Sequence, residues 1–187
     1  FALMRTIPGM TVMCPADDVE ARQMVKAAYE MEGPVYMRFG RAATSVFHSE
    51  DFHFEIGKGE VIQEGTDVAI IATGIMVPEA IEAGKALAER GVSARVINMA
   101  TIKPLDEDLV LKAARECGKI VTVEEHSVIG GLGEGVCALV SEHCPVPVKR
   151  IGVNDEFGHS GPAAALLEQF GLCTENIISV SMSLLGE

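Results

Sequence analysis

Residues Lys119–Gly135, KIVTVEEHSVIGGLGEG, constrain the fold more than any other segment. Lys119–Val123 is almost continuously apolar and β-branched. Two glutamates end it, and glycines at 130, 131, 133 and 135 lead into a helical pattern over Gly131–His143. A strand without polar alternation is buried on both faces. A glycine turn leading from such a strand straight into a helix is the joint of a parallel α/β unit. Upstream, Val68–Gly74 (VAIIATG) repeats the pattern. Together they call for a parallel sheet covered by helices on both faces.

The rest of the chain extends this reading. Glu60–Gln63 is a short strand whose polar flanks suit a sheet edge. Asp67–Thr73, Ala94–Met99 and Pro147–Val153 are further strands. Val77–Arg90 is a helix stopped by Gly91. Leu105–Cys117 is a helix with Pro104 in its first turn, and Asp106, Glu107 and Asp108 complement the positive end of its dipole. Pro162–Phe170 and Glu175–Leu185 are short closing helices. Residues 60–187 therefore form a three-layer α/β/α domain.

Ahead of it, Thr11–Cys14 is a strand, Asp17 caps a helix running to Gly33, and Pro34–Phe39 is a strand. Residues 1–44 are the closing βαβ part of a domain, with Ala2–Ile7 the tail of a preceding helix. Residues 45–59 have no period and read as a linker. The chain opens at Phe1 in mid-pattern, as a piece of a longer polypeptide would.

Fifteen basic against 27 acidic residues give a net charge of −12. That excludes nucleic acid and anionic membrane as natural partners, because neither gains favourable counterion release. No apolar run approaches the roughly 18 residues of a membrane span. The five cysteines are odd in number and form no CxxC pair, which fits free thiols in a reducing cytoplasm.

Few residues are candidates for chemistry. The glycine loop Gly130–Gly135 precedes a helix, where amides can face a phosphate, and Asp155 lies where a ribose-binding acid would. That suggests a nucleotide-binding regulatory module. The spacing is not GxGxxG, however, and Glu134 brings a carboxylate to the place a phosphate would take. The competing reading is a tight turn packed on the sheet. Arg38 and Arg41 end the strand PVYMRF, and ligands collect beyond the carboxyl ends of parallel strands. Arg41 is the candidate for gripping a phosphate or carboxylate, with a surface ion pair as its alternative. His126 could act as a base or hold the adjoining loop, and the loop role is favoured. His159 precedes Ser160, which lacks a nucleophile elbow and suits helix capping. Glu124 and Glu125 face opposite sides of a strand and make no acid/base couple. His48, His53, His126, His143 and His159 have no metal-ligand spacing. No catalytic, cofactor-binding or metal-ligating residue is assigned.

In order, FALMRTIPGMTVMCPADDVEA, GPVYMRFGR, DVAIIATGIMVPEA, ARVINMATIKPLDED, TVEEHSVIGGLGEGV and VPVKRIGVNDEFGHSGP resemble transketolase. The likeness is greatest to the separate C-terminal subunit of split transketolases. The resemblance implies an enzyme of the cytoplasmic pentose phosphate pathway. It would move a two-carbon ketol unit between sugar phosphates with thiamine diphosphate and a divalent metal. It implies a homodimer and an N-terminal transketolase part or subunit as partner. The family's diphosphate and metal site lies in another domain carrying a GDG-type motif, and its activating glutamate and its GPxHQ-type histidine lie upstream of Phe1. The chain alone is therefore expected to be inactive and to hold no cofactor. The arginine closing GPVYMRFGR falls on Arg41 and is similar to the family's substrate-phosphate arginine. The resemblance also makes Glu60–Gln63 an antiparallel edge, so the five-stranded sheet is mixed. His159 stands where many relatives have Glu, and no role is assigned to it. Deoxyxylulose phosphate synthase shares the architecture and is the alternative within it. That enzyme often carries proline where Gly40 stands.

Overall fold

The computed structural model describes residues 1–41 and 43–186. A short helix, α1 (Ala2–Arg5), leads into β1 (Thr11–Met13), α2 (Asp18–Glu30) and β2 (Val35–Met37). Asp17 caps α2 as expected, its Oδ1 accepting from the Glu20 amide at 2.9 Å. β1 and β2 pair in parallel, Thr11 opposite Val35 and Met13 opposite Met37. The described residues between β2 and the next strand form no helix or strand.

The second unit runs β3 (Glu60–Gln63), β4 (Val68–Ala72), α3 (Met76–Glu89), β5 (Ala94–Asn98), β6 (Thr101–Lys103), α4 (Glu107–Cys117), β7 (Ile120–Ser127), α5 (Leu132–His143) and β8 (Val148–Val153). The helices α6 (Ala163–Gln169) and α7 (Thr174–Leu185) close it. Five strands stand in the order β3-β5-β4-β7-β8. β3 is the antiparallel edge on β5, and the other pairs are parallel.

The alternation of strand side chains divides the core into two layers. Val68, Ile70 and Ala72 face Ala80, Ala83 and Leu87 of α3 and Ile177 of α7. Ala69 and Ile71 face the other way, with Ile97 and Ile120, toward Val110 and Ala113 of α4 and Val136 of α5. Burying a side chain such as Ile70 or Leu87, both at 0% exposure, contributes about 1.5–3 kcal/mol. This is the three-layer α/β/α arrangement with a mixed sheet.

Two features depart from expectation. Pro104 precedes α4 instead of occupying its first turn, because the Asp106 side chain captures the Leu109 amide at 3.1 Å and starts the helix there. Thr101–Lys103, for which the sequence reading gives no element, is β6. It pairs antiparallel with β1, Val12 opposite Lys103 and Met13 opposite Thr101, and completes a small sheet β2-β1-β6. The two units are thus joined by backbone hydrogen bonding.

Candidate functional site

The chain order of the large sheet reverses at β4. From β4 the chain passes to β5 on one side, and from β5 it crosses to β7 on the other. Such a reversal opens a crevice beyond the carboxyl ends of the two central strands, where α/β proteins bind ligands. A cavity of about 520 Å³ lies here. Its wall includes Arg38 and Arg41 from the end of β2, Ile75 before α3, His126 at the end of β7, His159 after β8 and Phe170 after α6.

The two arginines differ. Arg38 donates to the Glu125 carbonyl at 2.8 Å and pairs with the Glu125 carboxylate at 3.0 Å, so it ties β2 to β7. Arg41 is exposed, lines the cavity and makes no ion pair among the described residues. Its position depends on Gly40. A Cβ at residue 40 would come within 2.8 Å of Ile75 Cγ2, so only glycine lets the strand end lie this close to α3.

The glycine loop is not a phosphate cradle, which corrects the nucleotide reading. Glu124, fully buried, accepts from the Leu132 amide through Oε2 and from the Gly133 amide through Oε1, both at 2.8 Å. The Gly130 amide is taken by Glu134 at 2.8 Å, and Arg5 donates to the Gly130 and Gly131 carbonyls. The amides at the start of α5 therefore already hold an anion, the protein's own. Burial pushes the Glu124 carboxyl up, against the pull of the Gly133 and Leu132 amides. Asp155 lies in an exposed turn at φ +48° and has no nucleotide loop to serve.

Glu125 faces away from Glu124 toward Arg38, as strand geometry requires. The His126 Nδ1 donates to the carbonyl of its neighbour Ser127 at 2.7 Å, within β7, and its Nε2 faces the Phe1 amino group at 3.0 Å. Ser160 does not cap a helix, which corrects that reading. α6 begins after Pro162 without a side-chain cap, and the His159 ring stacks on Phe170 at 5.7 Å on the cavity wall. Ile75, His159 and Phe170 were not legible as neighbours of Arg41, because no sequence pattern relates the loops after β4, β8 and α6. His48, in the stretch read as linker, is 8% exposed. Among the described residues no three His, Cys, Asp or Glu side chains are grouped to hold a metal. No described helix is long and apolar enough to cross a membrane. Cys14 and Cys117 are buried, and burial pushes the Cys14 thiol up to about 12. With its amides taken by Glu124 and Glu134, the glycine loop does not fit a diphosphate.

Comparison with known proteins accounts for this arrangement. Residues 57–177 match the family model for the transketolase C-terminal domain, and residues 1–45 match the transketolase pyrimidine binding domain. A 6-deoxy-6-sulfo-D-fructose transketolase subunit of Clostridium sp. (strain MSTE9) is 45% identical over 177 residues, covering 95% of this chain and 55% of its own length. An apulose-4-phosphate transketolase subunit of Phocaeicola vulgatus is 43% identical over 182 residues, covering 97% and 58%. A 1-deoxy-D-xylulose-5-phosphate synthase of Geobacter sulfurreducens is 41% identical over 187 residues, covering 98% and 29%. A solved split gene transketolase, described as an inactive beta4 tetramer, superposes with a TM-score of 0.96 at 49% identity, covering 99% of this chain and 61% of that one. The chain spans little more than half the length of the transketolase subunits it matches. With both domain models matched in order and the fold reproduced throughout, the chain belongs to the transketolase family, whose members are thiamine diphosphate enzymes.

Proposed function

We propose that this chain is the C-terminal part of an enzyme that moves a two-carbon ketol unit between sugars bearing an anionic end, and that Arg41 grips that anion. The carrying observation is the contrast between Arg38, engaged by Glu125, and Arg41, which faces a cavity at the sheet's switch point. In a chain of net charge −12, a guanidinium so placed is a local exception to the global field. A planar guanidinium can hold phosphate or sulfonate oxygens through two donors. The similar proteins, by their names, act on or make sugars carrying sulfo or phosphate groups, which suits this role.

In this reading residues 1–44 close a pyrimidine-binding domain, 45–59 link, and 60–187 form the C-terminal domain. Thiamine diphosphate and a divalent metal belong to the remainder of the enzyme, an N-terminal part or subunit with which this chain assembles, and a homodimer of such units is the expected working form. This chain contributes the cavity wall and the anion grip. Five free cysteines suit a reducing compartment such as the cytoplasm. Gly40 stands where many synthases carry proline, which supports ketol transfer over deoxyxylulose phosphate synthesis.

The test is an assay of the enzyme reconstituted from this part and its N-terminal partner. It should transfer ketol units between a phosphorylated or sulfonated ketose and an aldose. Condensation of pyruvate with glyceraldehyde phosphate, without ketol transfer, would assign it to the synthases instead.

A further inference from the structure

The linker enters the interior at one residue. The His48 side chain is 3% exposed, and both ring nitrogens face carboxylate oxygens. Nδ1 lies 2.9 Å from Asp17 Oδ2, and Nε2 lies 2.7 Å from Glu60 Oε2. Nε2 hydrogen-bonds Glu60, whereas Nδ1 has no hydrogen-bond partner and meets Asp17 as a charge; two carboxylates against one buried ring favour the imidazolium, the form that sets no ring lone pair against either of them. Phe47 and Phe52 enclose it, with centroids at 4.1 and 3.9 Å. Asp17 Oδ2 also accepts the backbone amides of Phe47 at 3.0 Å and His48 at 2.9 Å, while its Oδ1 caps α2.

One ring therefore joins three pieces of the molecule: the helix cap of the small unit, the linker, and the edge strand of the large sheet. We propose that protonated His48 is a clamp that fastens the linker to the α2 cap and to the edge strand β3, and that loss of its proton releases the linker. Deprotonation bares one ring nitrogen, setting its lone pair against a carboxylate with no proton between them. The charged groups facing the ring are Asp17 and Glu20 from the start of α2 and Glu60 from β3. Glu20 is 1% exposed and accepts from the Ala16 amide at 2.7 Å and from Asn98 Nδ2 at 2.8 Å. Once the imidazolium is gone, three carboxyl groups share the site without a counter-charge. Burial opposes the charge on His48, yet Glu60 and Asp17 outweigh it and lift the ring to about 9. The clamp is thus closed at neutral pH and opens in mildly alkaline solution. The linker runs from the Arg41 segment to β3, so opening frees the chain that follows Arg41.

The experiment is hydrogen exchange of the Phe47 and His48 amides in the full chain, each rate divided by its intrinsic rate at the same pH, together with NMR titration of the His48 ring. Protection of both amides should fall about tenfold or more between pH 6.5 and 9.5, corresponding to loss of one charge-assisted contact. Ile70 and Ile71 in β4 should keep theirs. Glu60→Gln removes one of the three charges holding the proton and should move the opening midpoint to lower pH. His48→Gln should leave the two amides weakly protected at both pH values. A ring that titrates at or below 6.5, or wild-type protection that does not change with pH, or an unmoved midpoint in Glu60→Gln, overturns the proposal.

Discussion

Glu124 occupies the space that a side chain on residue 131 would need. A Cβ built on Gly131 would come within 1.9 Å of Glu124 Oε2. The glycine is there so that the start of α5 can close over a buried carboxylate, whose two oxygens then take the Leu132 and Gly133 amides. What resembles a ligand loop in one dimension is a self-filled anion site in three.

Gly131→Ala should therefore destabilise the fold by about 1–3 kcal/mol, the usual range for overpacking a well-filled site. Denaturant titration should show a lowered midpoint with an unchanged slope. Glu124→Ala should cost at least as much, because two buried amides lose their acceptor at about 1–3 kcal/mol each. Calorimetric titration of the wild type with adenine or nicotinamide dinucleotides should give no binding heat.

Arg41→Ala in the reconstituted enzyme should raise KM for phosphorylated or sulfonated sugars by roughly ten- to a hundredfold, the worth of a hydrogen bond to a charged group. Sugars without an anionic end should be affected much less. Steady-state kinetics with both substrate types reads the difference. Equal losses for both would place Arg41 in folding or packing instead of anion binding.

Arg38→Ala should behave in the opposite way. It removes a half-buried ion pair and a carbonyl contact that join β2 to β7. Stability should fall by about 1–2 kcal/mol, within the range for hydrogen bonds to charged groups. Arg41→Ala, at an exposed position, should stay within about 0.5 kcal/mol of wild type. Chemical unfolding of the two variants side by side separates the roles.

Stability should fall as pH rises from mildly acidic to alkaline. His48 is raised from 6.5 to about 9 in the folded state, so its contribution is complete below 6.5 and is lost as pH climbs through 9. Glu20, which burial lifts from 4.5 to about 7, acts with the same sign at lower pH: its contribution is complete below 4.5 and is lost as pH climbs through 7. Asp17 has the opposite sign. Despite burial, the amides of Glu20 and His48 hold its carboxyl low, so its contribution is lost only in strong acid. The thermal midpoint should be highest at about pH 4, above the loss of Asp17's contribution and below that of Glu20's, and decline toward pH 9. His48→Gln should flatten the limb between 6.5 and 9, worth on the order of 2–3 kcal/mol. A wild-type midpoint that rises over that interval would contradict the charge arrangement.

Residue order alone sets the alternation of strands and helices, the parallel central strands, the short edge strand at Glu60–Gln63 and the Asp17 cap. These follow from local periodicity, capping chemistry and the burial pattern of single segments, which a chain carries in consecutive residues. It also places Arg41 at a strand's carboxyl end. What surrounds these residues is settled in three dimensions. The pairing of β6 with β1 joins strands far apart in the chain, and three residues such as TIK carry no period long enough to read. The His48 clamp draws its acceptors from positions 31 and 12 residues away, on a helix cap and a sheet edge. The inward turn of Glu124 depends on β7 continuing past Val123, where its register with β8 shifts before Ser127. In each case the deciding quantity is the distance between groups that fold from separate segments, and packing sets that distance where residue order does not.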